Sequence, residues 1–316
     1  MAAGINTVGN TAKIAVLLAA YNGREWIEAQ LASVLAQIGV NVDIFISVDP
    51  STDGTESWCA EFAQAHANVV LLPFSGVFGG ASRNFFRLIR DVDLSAYEFV
   101  AFADQDDLWY ENKLEQAVAM LRNSEAEGYS SNVVAFWEDG RRLRIDKAQP
   151  QVRWDHLFEA AGPGCTYVLS RKLTLAFKAQ LLSCWDEAQR IDLHDWFCYA
   201  FARSRGYGWV IDPRPGLDYR QHERNQVGVN NGMASAKARW RKITNGWWFE
   251  QVLLTARLLQ INSPFFALTG THHKVKSWTK LAFSAASCRR RTRDRVMFFL
   301  ICLLMSVLGQ QPKHRR

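Results

Sequence analysis

The 316-residue chain has no apolar run of the ~20 residues that a spanning helix needs. The uncharged run Val296 to Gly309 near the end has fourteen residues. A transmembrane segment is therefore not expected. The six cysteines, at 59, 165, 184, 198, 288 and 302, lack the close spacing of a zinc knuckle or a redox pair. That pattern points to buried thiols in a reducing compartment. No Gly-x-Gly-x-x-Gly follows a strand-like run, and no glycine loop ends in Lys-Ser/Thr, so a dinucleotide fold and a Walker-type site are disfavoured. Acid is nearly missing from residues 271–316, which carry 11 Lys/Arg and only Asp294. Residues 1–270 carry 26 Lys/Arg against 30 Asp/Glu. The net charge of +6 thus belongs to the tail and says nothing about the main domain's ligand. The tail has no recognised nucleic-acid motif, so no nucleic-acid partner is expected. "KIAVLLAAYNG" near the start runs directly into an amphipathic pattern, which reads as a core strand and predicts no cleaved signal.

The chain is 48% hydrophobic and 12% aromatic, enough for a sizeable core. Ile14 to Ala20 reads as a buried strand that stops at Asn22-Gly23. Ile27, Leu31, Val34, Leu35 and Ile38 share one helical face, with Gly39 placed to end it. Residues 42–48 form a second strand, "STDGTESWCAEFAQAHA" a second helix and residues 68–72 a third strand. A helix over 84–90 and a fourth strand over 98–103 follow. Strands alternating with helices imply crossover units and an α/β fold with a mostly parallel sheet.

The stretch "EFVAFADQDDLWYENKL" ends a strand in Asp104, Gln105, Asp106 and Asp107. Carboxylates so close repel one another. One could cap the following helix, and Asp107 is the candidate; capping does not use three. Asp104 and Asp106 could instead converge on Mg²⁺ or Mn²⁺, which take hard oxygen ligands. In open parallel sheets, ligands bind at the carboxyl ends of strands. Asn22, Asp49 and the acidic cluster each follow a strand, so the three should share one edge.

Taken with "VLLAAYNGREWIEAQLASVLAQ", "ISVDPSTDGT", "GPGCTYVLSRKL", "LHDWF" and "YRQHERNQVG", this cluster resembles the family-2 glycosyltransferases of GT-A fold. The match covers roughly residues 13–230, and "FADQDDLW", "HDW" and "YRQH..N" look most like a bacterial rhamnosyltransferase-like branch. The resemblance implies a metal-dependent inverting transferase. It would move a sugar, first of all L-rhamnose from dTDP-L-rhamnose, to a hydroxyl of a cell-surface saccharide of lipopolysaccharide core or O-antigen type. A UDP-hexose or UDP-N-acetylhexosamine donor is the alternative, and a non-catalytic nucleotide-binding or membrane scaffold a third. By the same resemblance, Asp49 would bond the nucleotide base. Ala20, Tyr21, Asn22, Arg83, Asp104, Gln105 and Asp106 would hold the donor. Asp106, Asp104 and His222 would hold the metal, and Asp195 would be the catalytic base. Gly164, Cys165 and Trp196 would line the acceptor or sugar pocket. Val48 and Pro50 depart from the family's usual "DDGSTDGT".

The expected organisation is a catalytic domain over 1–230, with a nucleotide-sugar half (13–110) and an acceptor half (111–230). A helical, basic and apolar extension covers 231–316. Its Arg/Lys clusters flank "VMFFLICLLMSVLG", where Phe298, Phe299, Leu300, Leu303 and Leu304 could bury in lipid. This predicts a cytoplasmic protein held peripherally at the inner face of the cytoplasmic membrane, on an anionic surface.

Overall fold

A computed structural model describes residues 11–222, 246–269 and 272–308. The end of the "YRQHERNQVG" string, the start of the Trp-rich string before Gly246 and the "QPKHRR" terminus lie outside the described residues. The first half alternates as expected: β1 (Ala12–Ala20), α1 (Ile27–Leu35), β2 (Val40–Val48), α2 (Thr55–Ala65), β3 (Val69–Leu71), α3 (Ala81–Asp91) and β4 (Phe99–Asp104). Next come β5 (Leu108–Trp109), α4 (Lys113–Arg122), β6 (Ala126–Phe136) and β7 (Arg142–Ile145). Then follow β8 (Val168–Ser170), α5 (Arg171–Ser183), α6 (Trp185–Ala188), α7 (His194–Ser204) and β9 (Gly208–Arg220).

One sheet takes the order β3-β2-β1-β4-β8-β6-β9-β5, with β7 beside β6. It is parallel from β3 to β4, where each strand returns through a helix. Beyond β4 it is mixed: β8, β7 and β5 run antiparallel to their neighbours, while β6 and β9 pair in parallel. The two-residue alternation of strand side chains divides the core. Ala15, Leu17 and Ala19 pack with α3, α5 and α7; Ile14, Val16, Leu18 and Ala20 pack with α1 and α4. The register sets Ala20 beside Val48 and Ala19 beside Asp104, so three strand ends lie along one edge.

Two local expectations are corrected. The apolar face of α1 stops at Leu35, because the Ile38 N–H turns to the Glu111 carbonyl and leaves Ile38 exposed. Asp107 does not cap α4, which starts after Asn112 with no side-chain cap.

The C-terminal region supplies α8 (Trp247–Leu258), α9 (Trp278–Phe283), α10 (Ala285–Cys288) and α11 (Thr292–Leu308). These helices build a third core with Leu157, Phe158 and Trp196. Phe298, placed among the lipid-facing candidates by sequence, is 3% exposed and packs edge-on against Phe158. Burying such a side chain stabilises by about 1.5–3 kcal/mol, so α11 is a packed element of the fold. Among the described residues, no helix is long and apolar enough to cross a membrane.

Candidate active site

The loop after β1 is zipped to the loop after β2. Asn22 Oδ1 accepts the Thr52 N–H at 2.8 Å, and Ser51 Oγ accepts the Asn22 N–H at 3.0 Å. The Gly23 and Arg24 N–H groups donate to Thr55 Oγ1 and Asp53 Oδ2. "STDGT" therefore templates Tyr21-Asn22-Gly23, with Asn22 in the left-handed region at φ 46°. The third side of this edge is Gln105, whose amide accepts from the Tyr21 N–H and donates to the Tyr21 carbonyl. Gly23 makes room for it, since a Cβ there would stand 2.1 Å from Gln105 Oε1. Tyr21 projects its exposed side chain from the finished loop, while the buried Ala20 receives the Asp49 N–H on its carbonyl.

Asp49 is buried, and its two oxygens accept the Phe78 and Gly79 N–H groups at 2.7 Å each. Arg83 donates to the Phe78 carbonyl and, through Nε, to the Gln189 carbonyl at 2.8 Å. The 78–79 turn thus ties Asp49 to Arg83. Asn84, which no motif singled out, donates to the Ser47 and Ala20 carbonyls and locks β1 to β2 beneath this edge.

The acidic cluster separates into two arms. Asp106 Oδ2 lies 2.7 Å from His222 Nε2, and the His222 ring stacks on Trp26 at 4.0 Å. Among the described residues, the donor atoms that converge belong to Asp104, Asp107 and Cys165, within 4.8 Å of one another. Asp107 Oδ2 is buried with no hydrogen-bond partner. Asp104 is pushed up to about 7, by burial first and then by the charges of Asp106 and Asp195. Asp107 is raised for the same first reason. Buried, mutually repelling carboxylates with an orphaned oxygen fit a hard divalent cation. Burial pushes the Cys165 thiol up, so it stays protonated and suits such an ion poorly. Cys165 was expected in the acceptor pocket; it is fully buried beneath the acids instead. Lys113, also missed from sequence, is buried with its Nζ 3.3 Å from the centre of the Trp109 ring, and burial pulls it down to about 7.

Asp195 stands in the first turn of α7, after Leu193, which gives no side-chain cap. Burial lifts its carboxyl to about 6, against the Trp196 N–H that holds Oδ1 at 2.8 Å. Gly164 allows the close approach: a Cβ there would lie 2.9 Å from His194 Nε2 and 3.0 Å from Asp195 Cβ. His194 stacks on Phe85 at 3.9 Å, and burial lowers it to about 3, so it is neutral packing. Trp196 does not line a pocket. It is 3% exposed in the third core and donates to the His156 carbonyl, because α7 turns it away from Asp195's side. The chain thus gathers, along one edge, a loop zipped by short polar side chains, a candidate cation site and a half-buried carboxylate raised to about 6.

The model of the family described as "Glycosyl transferase family 2" matches residues 15–168. The chain is 42% identical over 288 residues to the dTDP-rhamnosyl transferase RfbG of Shigella flexneri, covering 91% of this chain and 99% of that protein. It is 27% identical over 166 residues to the UDP-Glc:alpha-D-GlcNAc-diphosphoundecaprenol beta-1,3-glucosyltransferase WfgD of Escherichia coli, covering 52% and 62%. Among solved structures, S. aureus TarS 1-349 in complex with UDP-GlcNAc aligns with a TM-score of 0.53 at 13% identity, covering 92% of this chain and 71% of that one. That likeness is one of fold.

Proposed function

The chain belongs to glycosyl transferase family 2, and on that premise we propose that it transfers L-rhamnose from dTDP-L-rhamnose to a hydroxyl of a saccharide acceptor. The observation that carries this reading is the near full-length 42% identity to a dTDP-rhamnosyl transferase. The site's geometry supports it. The Ala20–Asn22 loop and Asp49 receive the nucleoside; each Asp49 oxygen keeps a lone pair beyond its backbone bond. Arg83 flanks the same turn. Asp104 and Asp107, whose oxygens converge, together with Asp106 and the His222 bonded to it, would hold Mg²⁺ or Mn²⁺. When bound, that cation would supply charge neutralisation for the diphosphate.

Asp195 takes the acceptor hydroxyl's proton as the oxygen attacks the anomeric carbon. The new C–O bond forms on the face opposite the diphosphate. The old C–O bond breaks, and its electron pair leaves with the nucleoside diphosphate. One displacement inverts the centre, and no second nucleophilic carboxylate is required. The acceptor class that fits is a lipopolysaccharide-type saccharide, and the compartment is the cytoplasm, at the membrane's inner face. Membrane contact is supported by an exposed apolar stripe on α11. Val296 and Leu300 are each 54% exposed and Val307 is 84% exposed, next to exposed Arg291 and Arg293.

The test is a panel of dTDP-L-rhamnose, UDP-glucose and UDP-N-acetylglucosamine with lipopolysaccharide fragments as acceptors. Transfer from dTDP-L-rhamnose is expected. Transfer from a UDP-sugar only would replace the donor, and turnover of none would favour a binding protein.

A further inference from the structure

We infer that Gln251, on α8 of the C-terminal region, is a positioning residue for Asp195. It would act through residues 190–193, which lead into α7; the inference rests on the reading of Asp195 as the base. The first turn of α7 carries Asp195 but has no side-chain cap of its own. Its lead-in segment is gripped from outside. Gln251 Oε1 accepts the Asp192 N–H at 3.0 Å, and Gln251 Nε2 donates to the Arg190 carbonyl at 3.0 Å. One amide thus fixes the backbone on both sides of Ile191, itself buried in the first core. Trp247 Nε1, one turn earlier on α8, donates to the Asp192 carboxylate. Gln251 is buried, so water cannot readily replace either bond once it is lost. Next along the chain, the Gln189 carbonyl accepts from Arg83. The lead-in segment is therefore held by the donor side at one end and by α8 at the other.

This arrangement bears on rate because proton transfer needs the base within hydrogen-bond reach of the acceptor hydroxyl. A shift of about 1 Å caused far from the chemistry can cost roughly 10²-fold. No motif names Gln251; its role comes from where α8 lies.

The test uses the full chain with dTDP-L-rhamnose, or whichever sugar donor the wild type turns over. The variants are Gln251→Ala, Gln251→Glu, Asp195→Asn and the Asp195→Asn/Gln251→Ala double variant. Gln251→Ala is expected to lower kcat by roughly tenfold or more. Its donor KM should stay within about twofold and its thermal unfolding should remain a single transition. Gln251→Glu keeps the acceptor for the Asp192 N–H but sets a carboxylate oxygen against the Arg190 carbonyl in place of the donor, so it should lower kcat by at least as much as alanine, again with donor KM within about twofold. It also decides the matter if the alanine variant fails to fold. On the Asp195→Asn background, Gln251→Ala should cause no further loss, because the group it positions is gone. A wild-type kcat in Gln251→Ala, or the same fold loss on both backgrounds, overturns the proposal. Wild-type turnover by Asp195→Asn alone would instead remove the base assignment beneath it.

Discussion

The donor edge of the cleft is held by neighbours in the sheet, whereas the base side is held by segments far away in sequence. At the donor edge, β1, β2 and β4 lie side by side, and their register delivers Ala20, Val48 and Asp104 to one line. The loops that follow bond one another through short polar side chains. On the base side, Asp195 is set by Gly164 before it and by α8 after it. The buried Asp155 extends this second pattern, taking hydrogen bonds from Tyr199 and Arg203 of α7 and from Arg290 beyond α10. The two sides also differ in charge logic. The donor edge concentrates carboxylates that repel one another, whereas on the base side Asp155 is neutralised by Arg203 and Arg290 and the half-buried Asp195 stands close enough for its charge to raise Asp104.

The largest effect should come from the donor edge. Chelation by EDTA is expected to abolish transfer, and Mg²⁺ or Mn²⁺ to restore it. Asp106→Ala should lose most activity while keeping its fold. The sign of the pH effect follows from Asp104. Its carboxyl sits near pH 7 before a cation binds. It must lose its proton to coordinate, so Mn²⁺ affinity should weaken as pH falls below about 7. Full turnover by a metal-stripped enzyme in EDTA would erase the charge contrast between the two sides.

Next in size is the base itself. Asp195→Asn keeps shape but cannot accept a proton, and should slow transfer by ~10²–10⁴-fold with donor binding intact. In the wild type, kcat should fall as pH drops through about 6, where the half-buried Asp195 carboxyl takes up a proton, and level off above it. A flat profile from pH 5 to 8 would mean that Asp195 carries no proton in the rate-limiting step. Gly164→Ala should act more mildly. The added methyl meets His194, which is backed by Phe85 and cannot easily yield. About tenfold in kcat with unchanged donor KM is expected from the small displacement of α7. Equal losses in kcat and donor affinity would show that the base side is not independent of the donor edge.

The contrast also explains what the sequence could say. Donor-edge residues are legible because short loops follow apolar strands, so order along the chain is order in space. The spacing of "AAYNG", "VDPSTDGT" and "FADQDD" carried that information. Asp195 was singled out only through the "LHDWF" resemblance. Trp196 beside it was misplaced, because the burial of a Trp in α7 depends on α8, and nothing local encodes that packing. Cys165 was misplaced for a related reason: a residue after a Gly-Pro-Gly turn can face either the cleft or the core. Lys113 and Gln251 gave no signal at all. Each is a polar residue in an ordinary helical pattern, and only the tertiary fold buries it.

The smallest effect on chemistry should come from α11, and there the comparison turns outward. One face of this helix, with Phe298, Cys302 and Met305, completes the third core. The other shows Val296, Met297, Leu300, Leu304 and Val307 to solvent. An apolar face of that kind gains nothing in water. Exposed Arg291 and Arg293 lie at its start; Asp294 pairs with Arg293 and Arg289, and Glu159 with Arg289 and Arg290. At an anionic bilayer each Lys or Arg close to the surface adds about 1 kcal/mol, and the apolar stripe can enter the interface. Removing the whole tail would strip a core, so the informative change is confined to the surface: Leu300→Glu, Leu304→Glu and Val307→Glu together. The wild type should float with anionic vesicles, less so with neutral ones or in high salt. The triple variant should stay behind, while its melting temperature and its kcat on a water-soluble acceptor match the wild type. A wild type that ignores anionic vesicles at low salt would leave α11 as a packing helix and nothing more.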